Sequence, residues 1–297
     1  LKLGKLPVFL WPYYHGPAEK PPLNDLRVGF SQHTGNSFGI GIPIDRLTGG
    51  PLFGIFNNSQ LDIDSYGERG EGFKFNTTYG AKGIAGQIKT TYIQDNGPER
   101  LATGKSQPVT DYNRGLFEWV HRQDLGNKWE LVSDIAWISD KNYISAWQPN
   151  DYKNRRSYSS RALLKRKENQ SLLQLEIERP LNNFISNDWL LASKGYQVIK
   201  MPELIFDRYS KPLKGNLIWS TQNQISKLST IRQGNNSESL GFNNRQSQNA
   251  FGFDNTTSIK SILNTDDIIR VSSQNKFSYP LIFNNLKILP YAQTLLI

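Results

Sequence analysis

Two aspartates one residue apart open the stretch DIDSYG, Asp62 to Gly67, and carboxylates at this spacing serve as metal ligands or as a general acid and base. A calcium loop needs an oxygen ligand at its fifth position and a glutamate at its twelfth, where this chain has Tyr66 and Phe73. No neighbour sets the ionisation of one aspartate apart from the other, so the pair reads as two polar, lumen-facing side chains on one strand face. The three histidines, His15, His33 and His121, stand in unlike segments without metal-ligand spacing. Gly80, Gly83 and Gly86 lack the helix start and the lysine of a phosphate loop and read as turn and strand glycines. The basic run NRRSYSSRALLKRK, Asn154 to Lys167, mixes cations with Tyr158 as a nucleic-acid groove does. The same alternation suits a strand with a hydrated face, on which Arg155, Arg156 and Arg161 attract lipid phosphates. These residues predict no catalytic group, no metal, no cofactor and no nucleic-acid partner; the expectation is a protein that is not an enzyme.

The elements that carry such side chains follow from composition and period. The chain has 297 residues, a net charge of +9, 12% aromatic residues and no cysteine, so neither disulfides nor thiolate metal sites are available. It opens with leucine and stops at TLLI, which reads as a piece of a longer protein. No run approaches 18 apolar residues, which excludes helical spans on length, but a membrane-crossing strand needs only about 9–11 residues with one apolar face.

From Leu26 onward the apolar residues recur every second position. Leu26, Val28 and Phe30 oppose Arg27, Gly29 and Ser31, and Phe38, Ile40, Ile42 and Ile44 oppose Gly39, Gly41, Pro43 and Asp45, as in a hairpin. Leu61 and Ile63 oppose Asp62 and Asp64; Phe73, Phe75 and Tyr79 oppose Lys74, Asn76 and Thr78. About a dozen strands emerge, one of them placed near Asp254 to Ile262 and another across LKILPYAQTLL, while Asp95–Tyr112 and Gly234–Asn249 read as extended loops. Tyr79, Tyr92, Trp129 and Trp219 fall near strand ends, as an interfacial aromatic girdle requires. The fold class is all-β. Period alone leaves open an antiparallel transmembrane β-barrel fragment and a two-layer soluble sandwich.

The first seventeen residues contain LPVFLWPYYHGP, in which Pro7, Pro12 and Pro17 interrupt an apolar and aromatic run. This stretch resembles the point at which the outer-membrane lipopolysaccharide-assembly proteins, the LptD (OstA) family, pass from a periplasmic jellyroll into a barrel. Arg114 to Trp147 is similar to paired strands of that family, through Arg114, Phe117, Trp119, His121, Trp129, Ser139, Asp140 and Tyr143. Pro202 and Leu204, and later Pro280 and Pro290, match in order. The resemblance implies that residues 1–22 close the jellyroll and that 23–297 supply the N-terminal half of a large outer-membrane β-barrel. It implies a lipid path at the jellyroll–barrel junction, Pro7, Phe9, Trp11, Pro12, Tyr13 and Tyr14. It also implies a lateral gate between the first and last barrel strands, here involving Phe30, Phe38, Ile40, Ile42 and Pro43. The first strand departs from the family pattern, with Ser31 and Gln32 where a proline is usual. Implied partners are lipopolysaccharide or a related glycolipid, a plug lipoprotein of the LptE type, a periplasmic bridge protein of the LptA type and the outer-membrane bilayer.

A second expectation comes from a different class: a soluble all-β carbohydrate-binding or carbohydrate-active domain, with Trp and Tyr as sugar platforms and Asp or Glu as acid and base.

Overall fold

The computed structural model describes residues 2–3, 6–7, 23–31, 33–100, 106–109, 112–154, 156–182, 184, 196–232, 236–238, 242–258, 267–284 and 286–297. The chain is all-β. It forms two compact units, Leu1–Gly97 with Val109–Leu116, and Pro98–Pro108 with Phe117–Ile297. The main strands are β1 (Asp25–Ser31), β2 (Gly35–Pro43), β3 (Phe56–Tyr66), β4 (Gly70–Ala81), β5 (Ile84–Asp95), β6 (Asn113–Gly126), β7 (Trp129–Ile138), β8 (Ser160–Lys167), β9 (Ser171–Arg179), β10 (Tyr196–Pro212), β11 (Ile218–Arg232), β12 (Ile268–Ser278) and β13 (Tyr291–Leu296). They make a 13-stranded sheet in which each strand lies beside its successor in sequence. Among the described residues β1 and β13 each have one neighbouring strand, so the sheet is not closed.

In the first unit, register turns the alternation into rows. Leu26 on β1 faces Ile40 on β2, Ile40 faces Ile63 on β3, Ile63 faces Phe73 on β4, and Phe73 faces Tyr92 on β5. One apolar row therefore crosses five strands, with polar rows beside it on the opposite face. The burial is the reverse of a water-soluble sheet: Leu26, Val28 and Phe30 are 63%, 77% and 75% exposed, whereas Asp62 and Asp64 are 7% and 4% exposed.

The second unit repeats this pattern across six strands. Leu131 on β7 faces Leu164 on β8, then Leu175 on β9, Leu204 on β10, Ile225 on β11 and Val271 on β12. Leu175, Leu204, Ile225 and Val271 are exposed, while Glu203, Asp207 and Ser226 are buried. Connections alternate in length as well. At one end of this unit lie 127–128, 168–170, 213–217 and 279–290; at the other lie 139–159, 180–195 and 233–267. Two helices occupy the first long connection, α2 (Tyr143–Trp147) and α3 (Pro149–Lys153), following a shorter one in the first unit, α1 (Ile44–Leu47).

Several sequence expectations change. Ile44 does not extend β2; it begins α1, because Pro43 ends the strand and the backbone turns helical with Thr48 N–H bonding Ile44 O. Asp95 is not a loop residue but the last residue of β5, paired with Gly70. Within the stretch read as a loop, Asn244–Phe251 forms a helix, α4. Asn243 and Gln246 cap it reciprocally, each side chain accepting the other's backbone N–H at 2.9 Å, and Gly252 closes it at φ 78°. The strand expected near Asp254–Ile262 is a turn through Ser258, which makes an isolated bridge to Asn236; residues 259–262 lie outside the described residues. LKILPYAQTLL is two strands, Leu286–Ile288 and β13, since Pro290 offers no N–H to continue the ladder.

Candidate functional site

On the polar face of the first unit, Arg27 of β1 reaches across β2 to β3. Its guanidinium donates to Asp64 Oδ1 at 2.9 and 3.3 Å, to Asp62 Oδ1 at 3.2 Å and to Asp25 Oδ2 at 2.5 Å. Lys74 of β4 completes the cluster 2.9 Å from Asp64 Oδ2, and Gln60 Nε2 donates to Asp62 Oδ1 at 2.7 Å. The span over β2 exists because the crossing point is Gly39. A Cβ there would lie 2.1 Å from Asp64 Oδ1. Both aspartates face cations on the polar side of the sheet, as the alternation of the strand predicted.

A second cluster sits at one end of the same unit. Asp95 is 0% exposed, between Arg69 and Arg114 at 1% each. Arg69 donates Nε to Asp95 Oδ1 at 2.6 Å and a terminal nitrogen to Oδ2 at 2.5 Å, Arg114 donates to Oδ2 at 3.0 Å, and Gly97 N–H to Oδ1 at 3.2 Å. One carboxylate thus ties the 67–69 turn, the end of β5 and the start of β6.

In the second unit the polar face carries further pairs: Arg122–Glu130, Glu130–Lys165, Arg161–Asp134 and Lys200–Glu203. Arg161 is therefore beside a carboxylate, as is Arg156 beside Asp151 and Glu118; Arg155 lies outside the described residues. Tyr158, in the connection before β8, is buried, and burial pushes its phenol up from the usual range, helped by the hydrogen bond it donates to Asp151 Oδ2 at 2.6 Å.

The residues expected at the gate lie on β1 and β2. Phe30, Phe38, Ile40 and Ile42 share the apolar face, with Phe30 and Phe38 exposed. Pro43 is the last residue of β2, opposite Gln60, and stands beyond the β1–β2 register, which ends at Asp25 opposite Gly41. Of the junction residues, Pro7 ends a two-residue strand paired with Lys2–Leu3; Phe9, Trp11, Pro12, Tyr13, Tyr14 and also His15 lie outside the described residues. Arg114 holds Asp95, as above. The rings of Trp119 and His121 are 5.3 Å apart, and Trp129 lies under Arg166. Ser139 donates to Asp140 Oδ2 at 2.8 Å, Asp140 Oδ1 accepts Asn142 N–H, and Tyr143 begins α2 wholly buried, so the expected Ser-Asp-x-x-Tyr turn is a turn. Phe117 is half-buried on β6. Gly86 lies beneath the Tyr79 ring, where a Cβ would be 2.2 Å from it, and Gly83 turns at φ 77°, so these are turn and strand glycines.

Among the described residues no group of His, Cys, Asp and Glu could hold a metal, and no helix is long and apolar enough to cross a membrane.

Compared with known proteins, the chain matches no family model and no curated sequence.

The sequence placed Trp129 and Trp219 near strand ends but missed the arginines and the ring that join them on the apolar face of the second unit: Arg166 over Trp129, and Arg208 over both Phe206 and Trp219. Cross-strand register brings these cations and rings into one belt, a pairing that the linear order does not mark.

Proposed function

We propose that this chain is the N-terminal half of an outer-membrane β-barrel, entered from the end of a periplasmic jellyroll, and that it serves in a lipopolysaccharide or related glycolipid translocon. One observation carries the membrane part: Leu175, Leu204, Ile225 and Val271 of the second unit's apolar row are exposed while Glu203, Asp207 and Ser226 on the opposite face are buried. A sheet in water minimises free energy the other way round, and an apolar surface of this extent needs a non-aqueous neighbour. Trp129 and Trp137 support the reading, because they share one face of β7 eight residues apart, about 26 Å along the strand and about 20 Å along the normal at the usual tilt, so that they bracket most of a hydrocarbon band about 25 Å tall. Apart from 279–290, the connections at one end of the unit are short turns and those at the other are long, as at the periplasmic and outer ends of such barrels.

The transport part rests on the likeness of LPVFLWPYYHGP and of Arg114–Trp147 to the LptD (OstA) family. In this reading glycolipid passes the junction around Phe9 and Trp11 and leaves beside β1, whose outer edge has no partner strand among the described residues. Acyl chains follow the face of Phe38 and Ile40, sugars and phosphates the charged face of Arg27 and Lys74. A plug lipoprotein fills the lumen, a bridge protein delivers the lipid, and no bond is broken.

Photoreactive residues at Phe9, Trp11, Phe38 and Ile40 of the full-length protein should capture lipopolysaccharide during export, whereas positions in the 139–159 connection should not. Equal capture at both sets, or none at either, rejects the transport reading. The soluble carbohydrate reading predicts instead a monodisperse chain in detergent-free buffer.

A further inference from the structure

The belt found on the apolar face has a recess beside it. Lys128, Arg208 and Lys211 line a cavity of about 450 Å³, together with Gln170, Ser171 and Glu168. Glu168, the carboxylate among them, is engaged by Arg166 at 2.9 Å, which leaves the lining strongly positive. The recess sits at the short-turn end: Lys128 is in the 127–128 turn, Gln170 in the 168–170 turn, and Ser171 faces Arg208 across the β9–β10 ladder.

Three successive levels on one face define its surroundings. Highest is the apolar row with Leu175, Leu204 and Ile225. Two residues further along each strand, Leu173 faces Phe206 and Arg166 faces Leu173, with Trp129 beside them. Two further again are Ser171, Arg208 and Thr221, and beyond the bulge Lys211 faces Trp219. Hydrocarbon contact, aromatic belt and cation therefore follow one another at the roughly 6.6 Å step between same-face residues, the order in which a lipid presents acyl chain, ester region and phosphate. The Arg208 guanidinium is held 5.8 and 5.9 Å from the Phe206 and Trp219 ring centres, which keeps it at the recess instead of free in solvent.

We infer that this recess binds the phosphate of an anionic glycerophospholipid in the leaflet at the short-turn end, with Lys128, Arg208 and Lys211 on the phosphate and Leu204 and Ile225 along the acyl chains. The inference rests on the membrane reading above but not on the transport reading. Its occupant is a lipid, because the apolar row continues directly from the cations, a continuity that free phosphate would not use.

The full chain is reconstituted into bilayers containing equal amounts of phosphatidylcholine and phosphatidylglycerol, and the lipids retained after extraction are counted by native mass spectrometry. The wild type should retain phosphatidylglycerol preferentially, with about fivefold of preference arising from each basic residue. The K128Q/R208Q/K211Q variant should lose the preference, while K82Q/K89Q/K153Q, which removes equal charge elsewhere, should keep it. If the triple variant fails to insert, K128Q and K211Q singly, one in the turn and the other near the strand end, should each lower the preference; no change in either overturns the site. A wild type that inserts without preference overturns the site and leaves the membrane reading standing, as does a control variant that loses the preference equally. Displacement by inorganic phosphate, but not by chloride at equal ionic strength, assigns the recess to free phosphate and overturns the lipid. A chain that enters no bilayer overturns the site and the membrane reading together.

Discussion

Replacing Leu204 by arginine separates an apolar surface that meets lipid from one that meets water. Leu204 is 41% exposed at the centre of the six-strand row. On a water-soluble sheet an exposed leucine exchanged for arginine changes stability by no more than about 0.5 kcal/mol. In a bilayer the cost depends on depth. Four residues separate Leu204 from Arg208, about 13 Å along the strand and about 10 Å along the membrane normal at the usual tilt, which puts Leu204 near the middle of a band about 25 Å tall. Leu204→Arg should then cost about 2–4 kcal/mol, and Phe206→Arg, half as far from Arg208, about 1 kcal/mol. Gln222→Arg, exposed on the opposite face of β11, should stay within about 0.5 kcal/mol. Urea titrations of the chain folded into zwitterionic vesicles measure all three. Three variants within about 0.5 kcal/mol of wild type would remove the bilayer from the reasoning, because burial of a guanidinium in hydrocarbon cannot be that cheap.

Asp95→Asn keeps the shape of the buried cluster but leaves two guanidiniums without their carboxylate, and should cost about 3–5 kcal/mol by far-UV circular dichroism in denaturant. Arg122→Gln breaks a pair whose arginine is largely exposed and should cost less than about 1 kcal/mol in the same assay; equal losses would refute the distinction. Gly39→Ala sets a methyl against Asp64 Oδ1 and should destabilise by about 1–3 kcal/mol with a lower melting temperature, an unchanged melt counting against the close crossing. The Tyr158 phenol holds its proton more tightly folded than unfolded, so its contribution is fully present below about pH 10 and declines as pH rises above it. The stability difference between wild type and Tyr158→Phe should therefore shrink from pH 9 to pH 11, and a constant difference would deny the shift.

The strands were legible because a period of two is imposed by the backbone itself: in LRVGFSQ and GFKFNTTY each side chain must point opposite its neighbours, and the structure keeps those faces. The charged pair at Asp62 and Asp64 was legible as part of a polar face. Its partner Arg27 was not, since it lies 37 residues from Asp64 and meets it only across the intervening strand at Gly39. Helix α4 was passed over although its signal is present: Asn243 with Gln246 three residues on, and Gly252 at the far end, outweigh the polar composition that made 234–249 look like a loop.

By itself, the sequence determined the all-β class, the two unlike faces of each strand, the turn glycines and the absence of cysteine. These depend on local backbone geometry and on which residue types are present. Only the tertiary structure decided which face is covered, because burial depends on what packs against a strand and not on its own alternation. Tertiary pairing also decided the rows, since bulges between Asn57 and Gln60, Lys200 and Glu203, and Arg208 and Lys211 shift each ladder by amounts that no single strand encodes. That register is what sets Leu131, Leu164, Leu175, Leu204, Ile225 and Val271 in one line, and what gathers Lys128, Arg208 and Lys211 at a single recess.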